Sequence, residues 1–481
     1  MKARQIAYII WTVIALLGAF CLVVPDGGWH IGRWHLRFPT LAQALDMDTK
    51  QSDELSMMND SLLAELETLG VLPSDSVVAE DTIAVQDSIP PKAQPVIPEV
   101  NVSNTDSRAY LAAFYAALDS VRTMPVRVVH YGDSQIEEDR ITNVLRERWQ
   151  KAYGGGGVGL LPLHQTIPTR SMRQWLSMDG VVQTVQGGPK RYLVYGPRSM
   201  RLDNGEYGVM GQVAVMDSTL VAGSEDVVMC IEPIDKKRQG HNYFNRVRVL
   251  TDSVDGYILA QDTMLSPTPD TRHPLLYTLP DSTTKCEIHL QGKGKVYGVS
   301  LETPTGVIVD NIPMRGCSGN IFTKIDSTQL SDFYRETNTR LIILQFGGNM
   351  IPQTENASTI SGYVRSTLRQ QVRYLRACAP DAAILFIGPS DMSTNIDGQM
   401  STYPLVPYMD KLLKKMAAEE QIAYWSMYDA MGGKDSMVRW VENGLAGSDY
   451  VHFTRAGANN IGKKLYNWLM SYQSDSLNTK L

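Results

Sequence analysis

Two hydrophobic periods alternate along most of the chain. Short segments rich in apolar residues, as in buried strands, lie at 126–130, 307–311, 341–346, 384–387 and 422–425. Helical patterns occur between or after them, over 107–121, 358–378, 403–419 and 456–471. Strands that alternate with helices pair in parallel, so we expect a three-layer α/β domain built on a parallel sheet.

The pattern changes between about 165 and 305. Runs such as Gln212–Met216, Arg246–Leu250 and Cys286–Leu290 alternate apolar with polar residues, and turns rich in Gly, Asp and Pro separate them. Helical periodicity is almost absent, which predicts a β-sandwich. We therefore predict one α/β domain over 106–163 and 306–474, interrupted by a β-sandwich insertion over 164–305.

The amino terminus has the pattern of a membrane anchor. Ile6–Val24 contains no charged residue and is long enough to span a hydrocarbon core of about 30 Å. Lys2 and Arg4 precede this run, which favours a cytoplasmic start, and no A-x-A cleavage site follows it. We predict an uncleaved transmembrane signal anchor over 1–25 rather than a cleaved signal peptide. An extracytoplasmic linker follows over 26–105, and the folded part is expected on the periplasmic or extracytoplasmic side of the inner membrane.

Composition excludes several classes of protein. A net charge of −6 gives no basic face for nucleic acid. Five cysteines are too few for a disulfide scaffold, and whether Cys230 and Cys286 pair stays open at this point. No CxxC or HExxH motif occurs, which disfavours a metal site, and we predict no cofactor.

Polar residues follow several of the predicted parallel strands. Ser134 comes directly after the first strand, Asn349 follows the third, and Asp449 and His452 lie in the loop before the last helix. Gly316, with Gly319 as the alternative, follows the second strand. Because ligands bind at the carboxyl ends of parallel strands, we expect these residues to meet at one edge of the sheet.

These residues carry a resemblance to the SGNH/GDSL hydrolases. His130-Tyr131-Gly132-Asp133-Ser134 resembles their first block, Gly347-Gly348-Asn349 their GxN block, and Asp449-x-x-His452 their terminal block, in the family's order. The second block, Arg315–Gly319, is a looser match, and Met350 stands where many members have Asp. The resemblance covers about 106–163 and 306–472, roughly half of the chain.

The resemblance implies a role for each site residue. Ser134 would be the nucleophile, His452 the general base, and Asp449 the group that orients the imidazole. The oxyanion hole would consist of the Ser134 amide, the Asn349 side chain and a glycine amide. We expect this glycine to be Gly316, with Gly319 as the alternative.

Glu137, Glu138 and Asp139 are expected in the first turn of a helix that follows the nucleophile, where carboxylates suit the helix dipole.

The position of the insertion indicates which members of the family the chain resembles most. An SGNH domain cut by a β module between its first and second blocks is similar to bacterial peptidoglycan O-acetylesterases, in which the inserted module resembles a carbohydrate-binding sandwich. This implies a serine esterase that removes O-acetyl groups from an extracytoplasmic glycan, with O-acetylated peptidoglycan or another polysaccharide as substrate. Two alternatives stay open: an O-acetyltransferase that uses the same triad, and an inactive glycan-binding or assembly protein.

Overall fold

The computed structural model describes residues 29–31, 34–36, 97–101, 106–178, 181–183, 188–217, 226–234, 242–269 and 274–478. The predicted anchor over 1–25 lies outside these residues, as does most of the predicted linker over 26–105. None of the helices in the described ranges is both long and apolar enough to cross a membrane. The described part of the amino-terminal region is an antiparallel hairpin of β1 (Trp29–Ile31) and β2 (Trp34–Leu36).

The elements of the main body follow in chain order. Its strands are β3 (Val126–Gly132), β4 (Gly159–Leu161), β5 (Met172–Met178), β6 (Val181–Gln183), β7 (Lys190–Leu193), β8 (Gln212–Met216), β9 (Val227–Pro233), β10 (Phe244–Thr251), β11 (Asp255–Ala260), β12 (Thr263–Leu265), β13 (Leu275–Thr283), β14 (Cys286–Gln291), β15 (Gly294–Glu302), β16 (Val307–Pro313), β17 (Thr339–Gln345), β18 (Ala383–Ile387), β19 (Ser393–Ile396), β20 (Gln399–Thr402) and β21 (Ala423–Trp425). Its α-helices are α1 (Ala112–Leu118), α2 (Thr142–Tyr153), α3 (Ser327–Glu336), α4 (Ala357–Tyr363), α5 (Arg369–Cys378), α6 (Val406–Glu419), α7 (Met427–Met431), α8 (Ser436–Glu442) and α9 (Arg455–Asn478). The helix predicted over 107–121 begins as a 3-10 turn at Ser107–Leu111. The one predicted over 358–378 is α4 and α5 joined by a π-helical turn at Val364–Leu368.

A five-stranded parallel sheet forms the centre of the α/β domain, in the order β16-β3-β17-β18-β21. In β17, Leu341 and Ile343 point into the core cluster that includes α1, α2 and α9. Ile342 and Leu344 point to the opposite face and are equally buried. The sheet is therefore covered on both faces, which confirms the predicted α/β architecture.

The insertion is a sandwich of two antiparallel sheets. One has the order β13-β10-β15-β8-β7 and the other β12-β11-β14-β9-β5-β6. Val247, Val249, Ile258 and Ile288 are fully buried between them. The short strand β4 pairs with β15, so the sandwich pairing begins at residue 159 rather than at the predicted boundary of 164. A glycine-rich turn after α2 makes this early crossing possible, because a Cβ on Gly157 would lie 2.1 Å from the Leu301 carbonyl oxygen.

The two cysteines of the sandwich do not form a disulfide. Cys286 of β14 stands opposite Ile231 of β9, whereas Cys230 of β9 stands opposite Glu287. Successive residues of a strand point to opposite faces, so the two thiols lie on opposite sides of the sheet. Both are buried free thiols.

A buried ion cluster fixes the sandwich to the parallel sheet. Arg127 of β3 is fully buried, and its Nη2 lies 2.7 Å from Glu302 Oε2 and 2.6 Å from Ser300 Oγ, both on β15. Its Nε lies 3.5 Å from Asp310 Oδ2 of β16. Charges buried to this degree are tolerated only when paired, so the cluster fixes the register of the insertion against the strand that leads to Ser134.

Candidate active site

Ser134, His452 and Asp449 form a hydrogen-bonded relay at the carboxyl end of β3. Ser134 Oγ lies 2.8 Å from His452 Nε2, and His452 Nδ1 lies 2.7 Å from Asp449 Oδ2. The structure thus brings together all three residues that the sequence predicted as a triad, although 318 positions separate Ser134 from His452. A donor on Nδ1 and an acceptor on Nε2 is the tautomer that deprotonates a serine.

The spacing of Asp449 and His452 has a local structural cause. Asp449 Oδ1 accepts hydrogen bonds from the backbone amides of Val451 at 3.0 Å and His452 at 3.1 Å, which folds the loop back on itself. Burial acts to raise the pKa of Asp449, but the hydrogen bonds from the His452 ring and these two amides outweigh it and hold the pKa at about 2. The carboxylate is therefore ionised at any physiological pH.

The segment after Ser134 differs from the predicted helix start. Residues 134–139 form a 3-10 turn that is broken at Glu137 and Glu138, and α2 begins only at Thr142. Glu137 is extended, whereas Glu138 and Asp139 have φ values of 57° and 61°. The three carboxylates therefore do not serve the helix dipole. Each binds an arginine instead: Arg315 for Glu137, Arg170 for Glu138 and Arg146 for Asp139.

Asn349 reaches the relay from the loop after β17. Its Nδ2 donates to the Cys317 carbonyl oxygen at 3.0 Å and lies 3.5 Å from Asp133 Oδ2. The second contact is long, so this N–H is the one that can turn toward a developing oxyanion at small cost. Asp133 itself is buried, which raises its pKa to about 6, and its Oδ1 accepts from the Gln135 amide at 3.0 Å.

The two candidate glycines lie in one turn region after β16. Gly316 has a φ of 71° and precedes Cys317, whose amide donates to the Met314 carbonyl at 3.0 Å, so Gly316 holds the turn position that requires positive φ. Gly319 has a φ of 95°, and its amide lies 3.3 Å from Cys317 Sγ. Neither glycine is among the residues that line the cavity beside Ser134. The assignment of Gly316 to the oxyanion hole stays a prediction.

A small cavity of about 30 Å³ opens beside the nucleophile. Much of its lining is apolar, and its walls come from the loops after β3, β17, β18 and β21 and from the loop before α9. The lining residues are Asp133, Ser134, Gln135, Gln345, Phe346, Gly348, Asn349, Gly388, Pro389, Ser390, Met392, Met427 and Val451. A group bound to Ser134 therefore lies beside a small, largely apolar space.

Sequence reasoning missed two parts of this site. Gln135 is buried, and its Nε2 donates to the Val451 carbonyl at 2.6 Å and to Ser390 Oγ at 3.2 Å, which ties the serine loop to the loop that carries His452. The loop at 388–392 supplies several cavity residues. The available signals were Gly388-Pro389 directly after a predicted strand and the adjacency of Gln135 to Ser134.

His130, in the same block as Ser134, is a structural residue. It is fully buried, with Nε2 3.2 Å from Gln345 Oε1 and Nδ1 2.9 Å from Thr142 Oγ1. Burial lowers its pKa to about 3, so the ring is neutral and satisfied at both nitrogens.

A Ser-His-Asp relay at the carboxyl ends of parallel strands is the site of a serine hydrolase, and this is the class of protein that the fold and the site indicate. Residues 281–459 match the sequence model of the GDSL-like Lipase/Acylhydrolase family. This part of the chain therefore resembles the GDSL-like hydrolases. The matched stretch contains Asn349, Asp449 and His452, while Ser134 lies before it on the other side of the insertion.

Solved structures resemble the chain to different extents. A structure described as a peptidoglycan O-acetylesterase is 20% identical, covers 76% of this chain and 98% of its own, and gives a TM-score of 0.59. An acetyl xylan esterase is 12% identical over 34% of this chain and 80% of its own, with a TM-score of 0.25. The periplasmic domain of a lipopolysaccharide acetyltransferase from Salmonella ser. Paratyphi A is 14% identical over 34% of this chain and 72% of its own, with a TM-score of 0.24. No curated protein matches the chain.

Proposed function

We propose that this protein removes O-acetyl groups from an extracytoplasmic glycan, with peptidoglycan as the first candidate. The observation that carries the proposal is the Ser134–His452–Asp449 relay beside a small, largely apolar cavity. Further support comes from the fold, since a solved structure that matches 76% of the chain is described as a peptidoglycan O-acetylesterase.

The relay supplies a two-step mechanism. Ser134 Oγ attacks the acetyl carbonyl carbon while its proton passes to His452 Nε2, 2.8 Å away. Asp449, ionised and 2.7 Å from Nδ1, stabilises the imidazolium. His452 then protonates the departing sugar oxygen, which leaves an acetylated Ser134 and a free hydroxyl. A water molecule then attacks the acetyl-enzyme while His452 takes its proton. His452 passes this proton to Ser134 Oγ as the bond to the acetyl group breaks, which releases acetate and restores the enzyme.

The oxyanion of each tetrahedral intermediate requires donors already in place. The Ser134 amide and the Asn349 side chain supply two of them, and the Asn349 N–H that now lies 3.5 Å from Asp133 is the one available. A glycine of the second block supplies the third, Gly316 in our prediction and Gly319 as the alternative. Each donor is expected to contribute roughly 10²–10³ in kcat.

The cavity supports acetyl as the acyl group. Phe346, Met392 and Met427 are among the residues that line the cavity of about 30 Å³ next to Ser134. One additional methylene in an apolar pocket typically changes discrimination by about 10–200-fold. Aryl butyrate should therefore be turned over at least tenfold more slowly than aryl acetate.

The cellular location is proposed from the sequence. An uncharged Ile6–Val24 run preceded by Lys2 and Arg4 supports an anchor in the inner membrane with the enzyme on its outer side. An acidic, proline-containing linker supports a catalytic part held away from the bilayer, where an envelope glycan is within reach.

The test is acetate release by the full-length protein from O-acetylated peptidoglycan and from a small aryl acetate. Ser134→Ala is expected to abolish both activities, while Ser358→Ala, an exposed serine on α4, should leave both unchanged. Aryl acetate turnover without acetate from the polymer would redirect the substrate to another glycan, or to acetyl transfer if added sugar acceptors become acetylated. No turnover of either ester by folded protein would refute the esterase and favour a binding or assembly role.

A further inference from the structure

The backbone after the nucleophile is held in an unusual conformation. Glu138 and Asp139 are consecutive non-glycine residues with positive φ, a conformation that L residues rarely adopt. Such geometry persists only where the surroundings over-determine it. The contacts that hold this segment therefore help to determine where Ser134 lies.

One of those contacts comes from the inserted sandwich. Arg170, two residues before β5, donates to Glu138 Oε2 from Nε at 3.0 Å and from Nη2 at 2.8 Å. The Arg170 backbone amide also donates to the Glu138 carbonyl oxygen at 3.0 Å. Both N–H groups contact the same carboxylate oxygen, so this two-pronged contact fixes the position of Glu138 Oε2. Glu138 is thus held by the insertion through both its side chain and its backbone.

Glu138 in turn faces Arg140, whose guanidinium touches both catalytic loops. Arg140 Nη2 lies 3.3 Å from Glu138 Oε1, and its Nε donates to the Glu137 carbonyl at 3.0 Å. Its Nη1 donates to the carbonyl of Phe453, the residue after His452, at 3.3 Å. Arg140 is buried, so it depends on the Glu138 carboxylate for compensation of its charge.

We propose that Arg170 is a positioning residue through which the inserted sandwich aligns the two catalytic loops. Arg170 fixes Glu138, Glu138 fixes Arg140, and Arg140 holds the serine segment against the loop that carries His452. This inference rests on the proposed esterase function. It assigns the insertion a part in the chemical step itself, separate from any binding of the polymer.

The consequence distinguishes this coupling from a sandwich that only binds glycan. A binding module has no effect on a small ester that never reaches it. Loss of an aligning contact, in contrast, lowers turnover of every ester, because a displacement of about 1 Å between reacting groups costs roughly 10²-fold in rate. The effect should fall on kcat, since Arg170 does not line the cavity beside Ser134.

The experiment measures kcat and KM for an aryl acetate with full-length wild-type protein and four single variants. Arg170→Ala should lower kcat by roughly 10–100-fold at unchanged KM. Arg170→Lys should recover part of this loss, because lysine restores the charge but not the two-pronged contact. Glu138→Gln should reproduce the loss, and combining it with Arg170→Ala should add little, since both changes break the same contact. The matched control is Arg173→Ala, because Arg173 is 70% exposed and binds Glu232 on the outer face of the same module.

A second measurement does not depend on turnover. Amide hydrogen exchange in Arg170→Ala should rise both at 134–140 and at 449–453, although the hydrogen bonds and ion pairs of Arg170 in the described part of the chain go to Glu138. Wild-type kcat in a folded Arg170→Ala variant, an equal loss in Arg173→Ala, or exchange that rises only around residue 170 would each overturn the proposal. If even wild-type protein lacks esterase activity, the proposed function fails, and the exchange pattern still decides whether the loops are coupled.

Discussion

Asp449→Asn tests the relay more sharply than deletion of the side chain. In the wild-type protein Asp449 Oδ1 accepts two backbone amides while Oδ2 accepts His452 Nδ1. Asparagine can keep Oδ1 in place for the amides, so its Nδ2 would face the imidazole as a donor. His452 Nδ1 would then have to accept, which places the ring proton on Nε2 and blocks transfer from Ser134.

The structure sets the magnitude of this effect. A carboxylate about 4 Å from an imidazolium charge stabilises it by roughly 4 kcal/mol at an effective dielectric constant of 20 and by about 1 kcal/mol in water. The side chains of Asp449 and His452 are 50% and 38% exposed, so the real value lies between these limits. Asp449→Ala should therefore reduce kcat by roughly 10²-fold. In Asp449→Asn the imidazole is also held in the wrong tautomer, so the loss of kcat should approach 10⁴-fold.

The assay is the kcat of both variants on aryl acetate at pH 7, with thermal unfolding as the check on folding. A loss for Asp449→Asn that is no greater than that for Asp449→Ala would refute the tautomer argument. Activity near wild type in both variants would remove Asp449 from the mechanism altogether.

Three further predictions concern the oxyanion donor and the buried charges. Asn349→Ala should lower kcat on aryl acetate by roughly 10²–10³-fold with little change in KM, and a change confined to KM would contradict the oxyanion role. Burial raises the pKa of Asp410 to about 6 from an ordinary value near 4, so its contribution to stability is full below about pH 4 and is lost as the pH rises through 6. Urea unfolding should show the stability of Asp410→Asn relative to wild type increasing by roughly 3 kcal/mol between pH 4 and pH 8, and a difference that is equal at both pH values would contradict the assignment. Arg127→Met strands the buried Glu302 and Asp310 carboxylates and should destabilise the protein by roughly 3–5 kcal/mol, so an unchanged thermal midpoint would show that the ion cluster does not contribute.

The sequence predicted the elements whose signal is local and strong. Buried parallel strands such as β3 and β17 are short segments rich in apolar residues, and the α/β architecture is confirmed. The meeting of Ser134, Asn349 and His452 followed from the carboxyl ends of parallel strands lying at one edge. The roles of these residues remain predictions that the variants above address.

Features decided by distant partners were not predictable. Three acidic residues after Ser134 favour a helix start on local grounds, but arginines at 146, 170 and 315 bend the segment away from a helix. The choice between Gly316 and Gly319 is of the same kind, since both have the positive φ that a glycine allows. The pairing of β4 with β15, which precedes the predicted boundary of 164, was not predictable because β4 is only three residues long, too short to show a period.

The place of the insertion also bears on how the chain reaches its native state. β3 and β16 are neighbours in the parallel sheet although the insertion separates them along the chain, and a loop of that length is slow to close. The folded sandwich shortens the search, because its two ends meet where Val307 N donates to the Gly154 carbonyl at 2.9 Å. If the sandwich assembles first, β3 and β16 are brought close together, and their pairing becomes nearly local. We therefore expect the sandwich to be an early folding unit and the formation of the hydrolase sheet to wait for it.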